Sequence, residues 1–193
     1  ILERAAPSPL EGTWKIVSEI GASWGVGPVE GSTEWFNDGF AGVRDDRACF
    51  FDDEYVFGAD GSFMNVQQGE TWLENWQTGT GDFCGTPVAP HDGSNSATFA
   101  YDEANNSLTL TGVGAYIGMP KATNGAEIGD PALAPESVTY NAYLQDDGTL
   151  DVTIEAGGVW WNFILERKVE AEPSPLEGTW KIVSEIGASW GVG

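Results

Sequence analysis

Reactive side chains are scarce in this sequence. It holds one histidine, His91, within the Pro/Gly-flanked stretch APHDGS. A Ser-His-Asp or Cys-His centre would have to be built on that residue, and no Gly-x-Ser-x-Gly elbow accompanies it. His91 is therefore expected in a loop, bonded to backbone. Carboxylates are plentiful, with 30 Asp and Glu against 8 Lys and Arg. A pair of acids spaced for glycoside hydrolysis then arises by chance and carries no weight. No catalytic residue is assigned, and the chain is expected not to be an enzyme.

The densest acidic run, VRDDRACFFDDEY, gathers Asp45, Asp46, Asp52, Asp53 and Glu54, with Asp38 upstream. A loop carrying several acids can supply the oxygen ligands of calcium. Arg44 and Arg47 interleave with these acids and would pair with them instead, and the D-x-D-x-D-G spacing is missing. Solvated or salt-bridged acids are the favoured reading and a calcium site the alternative; no cofactor is otherwise required. Cys49 and Cys84 form a single pair. In an acidic, exported chain one disulfide is the simplest expectation, with two reduced core thiols as the alternative. Neither has the CxxC partner of a metal site.

Aromatic faces offer another chemistry, the stacking of sugars or of a neighbouring subunit. Trp24, Trp35, Trp72, Trp76, Trp160 and Trp161 are available for it. Successive side chains of a strand point to opposite faces, so one of Trp160 and Trp161 must face outward. Trp35, Trp72 and Trp76 lie in polar stretches, where they would serve as ligand platform, as subunit contact, or as a lid over a barrel mouth.

The elements that position these residues are strands. TWKIVSEI (13–20) places Trp14, Ile16 and Ser18 on one face and Lys15, Val17 and Glu19 on the other. EYVFGADGSFMNV (54–66) reads as a hairpin turning at 59–62, where Asp-Gly supplies positive φ. ATFAYDEANNSLTLTG (97–112) turns at 103–106, and residues 137–168 give three strands joined at 146–148 and 157–158. No stretch holds a helical period, although GETWLENW could make one short turn. About eight strands joined by hairpins predict an all-β fold, an antiparallel up-and-down barrel with a two-sheet sandwich or jelly roll as the alternative.

LEGTWKIV (10–17) resembles the Gly-x-Trp first strand of lipocalin-like (calycin) barrels. That family closes its barrel with a late strand whose final basic residue packs over the tryptophan. WWNFILERK ends that way, so the resemblance implies a barrel-closing pair of Trp14 and Arg167. EYVFGADGSF is similar to a hairpin common in lipocalin-like bacterial domains. The unit as a whole, with RACFFDDEYVFGADGSF, ETWLENWQ, FCGTPVAPHDG and GGVWWNF in order, resembles secreted domains of marine Bacteroidetes. Those sit on multidomain or repetitive chains, sometimes beside family-16 glycoside hydrolases. The Glu-x-Asp-x-x-Glu motif of those enzymes is absent here, so the resemblance implies an accessory module.

The sequence also repeats itself. PSPLEGTWKIVSEIGASWGVG fills residues 7–27 and returns unchanged at 173–193, and ILER at 1–4 returns at 164–167. Two invariant blocks around a variable spacer are what a window on a tandem array would show. On that reading residues 1–4 are the last strand of a preceding repeat and 5–7 a linker. Residues 8–167 form one complete unit, 168–173 a second linker, and 174–193 the first strand region of the next repeat. Serial beads confer length and multivalency, and equivalent head-to-tail junctions generate filaments. The expected protein is an extracellular or cell-surface bead chain, a fibre or adhesive array whose partners are neighbouring copies. A carbohydrate- or small-ligand-binding lipocalin-like module is the runner-up, with polysaccharide as its partner. The net charge of −22 repels nucleic acid, and no apolar run is long enough to insert into a membrane.

Overall fold

Short alternating runs separated by Asp-Gly and Gly-Gly turns form strands too brief to stand alone, and the chain resolves this by closing them into a ring. The computed structural model describes residues 7–19, 21 and 23–169. The outer parts of the repeat, at 1–4 and 174–193, fall outside the described residues.

The described strands are β1 (Gly12–Ile16), β2 (Trp24–Gly27), β3 (Phe36–Asn37), β4 (Glu54–Phe57), β5 (Ser62–Val66), β6 (Thr71–Leu73) and β7 (Phe83–Gly85). They continue with β8 (Ala97–Asp102), β9 (Ser107–Thr111), β10 (Ala122–Thr123), β11 (Ala126–Glu127), β12 (Ser137–Leu144), β13 (Leu150–Glu155) and β14 (Trp160–Arg167). Two single-turn helices, α1 (Val43–Asp46) and α2 (Asn75–Thr78), lie in connections. Eight strands pair in the order β1-β4-β5-β8-β9-β12-β13-β14, and β14 pairs back onto β1. Every pairing in the ring is antiparallel, and all but the closing β14–β1 pair join ring strands that follow one another along the chain. The protein is all-β, a closed eight-stranded up-and-down barrel of the lipocalin-like kind, and not a sandwich.

Up-and-down connectivity sends alternate connections to alternate ends. At one end lie the tight turns at 58–61, 103–106 and 145–149. At the other lie the three long connections, 17–53, 67–96 and 112–136, together with the 156–159 turn. The two ends are therefore unlike by construction. At the tight-turn end Trp14 is fully buried and pairs in register with Arg167. The Arg167 guanidinium lies 4.4 Å from the indole centroid and donates to the carbonyls of Pro9 and Glu11. The indole N–H donates to the Leu10 carbonyl at 2.7 Å, so the polar atoms of this apolar stopper are satisfied locally.

Two expectations need correction. The first strand stops at Ile16 instead of running to residue 20, and the chain resumes along the same partner as β2. The excursion is held by buried Asp38, whose carboxylate accepts from the Ser23 hydroxyl at 2.7 Å and the Gly21 N–H at 3.2 Å. Arg44 neutralises it at 3.1 Å. GETWLENW begins as β6, and its helical turn forms only at 75–78, where Glu74 and Gln77 make a reciprocal capping box.

Candidate functional site

In a barrel of this kind the open mouth is the first place to look for a ligand, and here the chain fills it itself. Residues 114–120 are all buried. The Ile117 N–H donates to the Tyr140 hydroxyl and the Gly118 N–H to the Tyr55 hydroxyl, each at 2.9 Å. Tyr55 stands on β4 and Tyr140 on β12, four places apart in a ring of eight, hence on opposite walls. A segment bonded to both walls through adjacent residues lies near the barrel axis. Gly118 adopts φ +71°, and a Cβ there would stand 2.1 Å from the Phe163 ring. Only glycine fits. Burial pushes both tyrosine hydroxyls upward in pKa, at Tyr55 with help from the nearby Asp53, so they remain neutral donors and acceptors.

A polar cluster braces this plug. The Asn65 amide donates to the Tyr116 carbonyl at 2.8 Å. The Gln67 amide donates to the Tyr116 hydroxyl at 2.7 Å and to the His91 carbonyl at 3.0 Å. The Thr71 hydroxyl donates to Asp53 at 2.6 Å. Burial drives the Asp53 carboxyl up to about 8, against the Thr71 hydrogen bond and with help from Asp52. His91 sits edge-on between Trp76 and Tyr116, at centroid distances of 5.6 and 5.8 Å. Burial lowers its pKa to about 4, so the imidazole is uncharged. It occupies a loop, as its setting implies, but a buried one, and the expected bond to backbone is not made at its ring Nδ1, which is buried without a hydrogen-bond partner. Around neutral pH both Asp53 and His91 are mostly uncharged.

An aromatic cap closes the rest of the mouth. Trp24 stacks parallel to Trp161 at 6.2 Å and meets Phe36 and Phe50 at 5.5 and 5.6 Å. The Arg47 guanidinium lies 4.3 Å from the Trp72 ring and 5.2 Å from Phe36. Burial lowers its pKa, while the charges of Glu74, Asp82 and Asp46 hold it up. Cys49 and Cys84 form a disulfide, with Cα atoms 5.9 Å apart. It ties the turn after α1 to β7, which is itself paired with β6.

A second concavity lies on the outside of the barrel wall. The outward side chains of β12, β13 and β14 bring together Asn141, Tyr143, Asp151, Thr153, Asn162 and Ile164 through cross-strand pairs. The loop after β2 folds over them. One Glu30 oxygen accepts from Thr153 at 2.7 Å, Asn141 at 2.8 Å and Tyr143 at 3.0 Å. Burial opposes its charge, but these three donors outweigh it and lower its pKa. Asn162 receives the Gly31 N–H and donates to the Ser32 carbonyl, both at 2.7 Å. A groove of about 330 Å³ remains beside this staple. Asp151, raised in pKa by burial and then by the charge of Asp147, lines it. Such a groove offers hydrogen-bond partners to a polyhydroxyl ligand. Glu30 itself is committed to three donors.

The structure scatters the residues singled out for calcium. Asp45 and Asp46 are exposed on α1, Asp52 is exposed, Asp53 is buried against Thr71, and Glu54 pairs with Lys168. Among the described residues no three His, Cys, Asp or Glu side chains converge on a metal position. The aromatic candidates divide. Trp72 and Trp161 belong to the cap, and Trp76 is half-buried, packed on His91 and donating to Glu74 at 2.9 Å. Trp160 is the outward member of its pair and half-buried, and Trp35 is 51% exposed. The plug, its two tyrosine anchors and the Glu30 groove have no motif in the sequence. Their one visible trace is the glycine-spaced apolar run GVGAYIGMP.

No protein-family model matches the chain, and no curated protein matches it.

Proposed function

We propose that this protein is a structural bead of an extracellular or surface array, joined to neighbouring copies of itself rather than built around a ligand. The filled barrel carries this reading. Residues 114–120, with Trp24, Trp72 and Trp161 as a cap, occupy the place where such barrels can hold a small ligand. The repeated 21-residue block supports serial assembly. Exposed apolar side chains support contact between beads, among them Trp35, Phe40 and Phe83 at 51%, 44% and 41%. The disulfide supports an oxidising compartment. Negative-stain images of the parent polypeptide should show regular fibres or strings of beads. Isolated, randomly placed particles at every concentration would overturn the reading.

The outer groove favours one alternative, a carbohydrate-binding module. Trp160, Asn162 and Ile164 alternate outward along β14, so an aromatic face stands in line with the groove. Titration with polysaccharides, compared between the native chain and Trp160→Ala, tests it: heat of binding lost on substitution supports the module, and no binding removes it.

A further inference from the structure

The aromatic cap leaves three N–H groups without an acceptor. Trp24 and Trp72 are 2% and 7% exposed, and neither indole N–H has a hydrogen-bond partner among the described residues. The Nε–H of Arg47 is buried and equally unmet. The three belong to one cluster, since the Arg47 guanidinium lies 4.3 Å from the Trp72 ring and 5.6 Å from the Trp24 ring. In the brace beneath the plug the unmet atoms include oxygens, those of Asp53 and Gln67. In the cap all three are donors. A buried donor that nothing accepts from is costly, and three together call for acceptor atoms.

Arg47 also lacks a counter-ion at contact distance. Among the described residues Lys15, Arg44, Lys121 and Lys168 each pair with a carboxylate, and Arg47 pairs with none. The charges of Glu74, Asp82 and Asp46 act on it. Yet Glu74 is taken up by Lys121 and Trp76, Asp82 accepts from the Asn75 N–H, and Asp46 is exposed on α1. Arg47 as a whole is only half-buried, which gives a small ligand access to the guanidinium. Its walls are the rings of Trp72 and Phe36, the second at 5.2 Å. Phe40 extends this apolar wall outward, edge-on to Phe36 at 5.6 Å and 44% exposed. Ring faces attract cations and repel anions. An acid must therefore meet the guanidinium along its edge, in the plane of the fork, and lay its apolar part against the rings.

We propose that Arg47, with the indole N–H groups of Trp24 and Trp72, forms a binding site for a carboxylate carried on an apolar or aromatic body. Two carboxylate oxygens accept up to about four hydrogen bonds, enough for the guanidinium and both indoles. Their charge also compensates a guanidinium that burial would otherwise leave unpaired. The site lies in the cap and leaves the plug at 114–120 in place. Two sources present this chemistry, a free acid and an acidic side chain of a second copy, and the test separates them. The inference does not rest on assembly into an array, so a chain that forms no fibres still carries the site.

The indole N–H signals of Trp24 and Trp72, followed by NMR in the isotope-labelled full chain, report on the site directly. Sodium benzoate, compared with sodium chloride at equal ionic strength, should move both signals saturably. Benzamide, its uncharged counterpart, should need at least about tenfold more to do so. Arg47→Met should abolish the response, and Arg47→Lys, which keeps the charge but not the fork, should weaken it about tenfold. Movement of the same two signals on dilution, with no acid added, assigns the carboxylate to a second copy. Signals that ignore both benzoate and dilution overturn the proposal. So does a benzoate response that benzamide equals or that survives Arg47→Met. The comparison of benzoate with benzamide uses the native chain alone, so it decides the matter even where Arg47→Met disturbs the cap.

Discussion

At the tight-turn end of the barrel, Trp14 is sealed by Arg167 and by its own neighbour Leu10, with every partner within a few residues of a strand end. At the mouth, closure draws on three long connections, a disulfide, an axial plug and a braced polar cluster. The first end is a dry stopper of few parts. The second is many parts that must arrive together, and it occupies the place where a ligand would otherwise bind. The contrast indicates which end carries stability that depends on a unique conformation. It also separates bracing polar groups, such as Asp53, from the outer-groove carboxylates, which remain near solvent.

The largest expected effect falls on the plug. Gly118→Ala must displace the Phe163 ring and hold alanine at positive φ, a loss of about 3–5 kcal/mol in urea unfolding. Gly148→Ala, at a tight turn with φ +87° and open space around it, should lose about 1 kcal/mol. Equal losses at the two sites would erase the contrast between the ends. Next comes the disulfide, which closes a separation of 35 residues at the mouth. Cys49→Ser with Cys84→Ser should lower stability by about 3 kcal/mol, read from the urea midpoint.

The polar cluster predicts an unusual pH profile. An ordinary Asp titrates near 3.9, whereas folded Asp53 titrates at about 8. Between these values the folded state keeps a proton that the unfolded state has lost, so stability falls as pH rises, by at most about 1.4 kcal/mol per pH unit. His91 acts oppositely. Its folded value of about 4 lies below the ordinary 6.5, so its contribution is present above 6.5 and is lost as pH falls toward 4. The two slopes oppose each other at acidic pH, and only the Asp53 slope remains above 6.5. Stability should therefore decline from pH 6.5 to 8, and Asp53→Asn should remove that decline. A parallel decline in the variant would place its origin elsewhere. The smallest effects separate one anchor at each end. Tyr140→Phe removes a hydrogen bond to the plug and should lose about 1 kcal/mol, and Arg167→Met about 0.5–1 kcal/mol through its cation–π contact. Both are measurable by urea titration against the native chain.

The two ends also differ in how far the sequence reveals them. Gly12-Thr13-Trp14 and the ILER strand announce the stopper because its partners are local to recognisable strands. The hairpins at Asp60-Gly61 and Asp147-Gly148 are legible because Asp-Gly specifies the turn directly. The mouth is not. Trp72 reads as a polar-loop aromatic, and its place under Arg47 follows from a chain path that no local pattern encodes. Residues 114–120 draw no reading from the sequence, because what anchors them, the hydroxyls of Tyr55 and Tyr140, comes from distant strands. The early end of β1 at Ile16 depends likewise on Asp38, 22 positions further on. Glu30 is one acid among 30. What distinguishes it is a set of donors more than a hundred residues away along the chain.

The central claim, that the mouth is permanently filled and not lidded, is tested most directly by native-state hydrogen exchange at Ile117 and Gly118. Their amides donate to Tyr140 and Tyr55 at the barrel axis, so they should exchange only with global unfolding, as slowly as the central residues of β13. Exchange of these two amides as fast as the exposed turn at 146–148, while β13 stays protected, would show a segment that opens and would contradict the account.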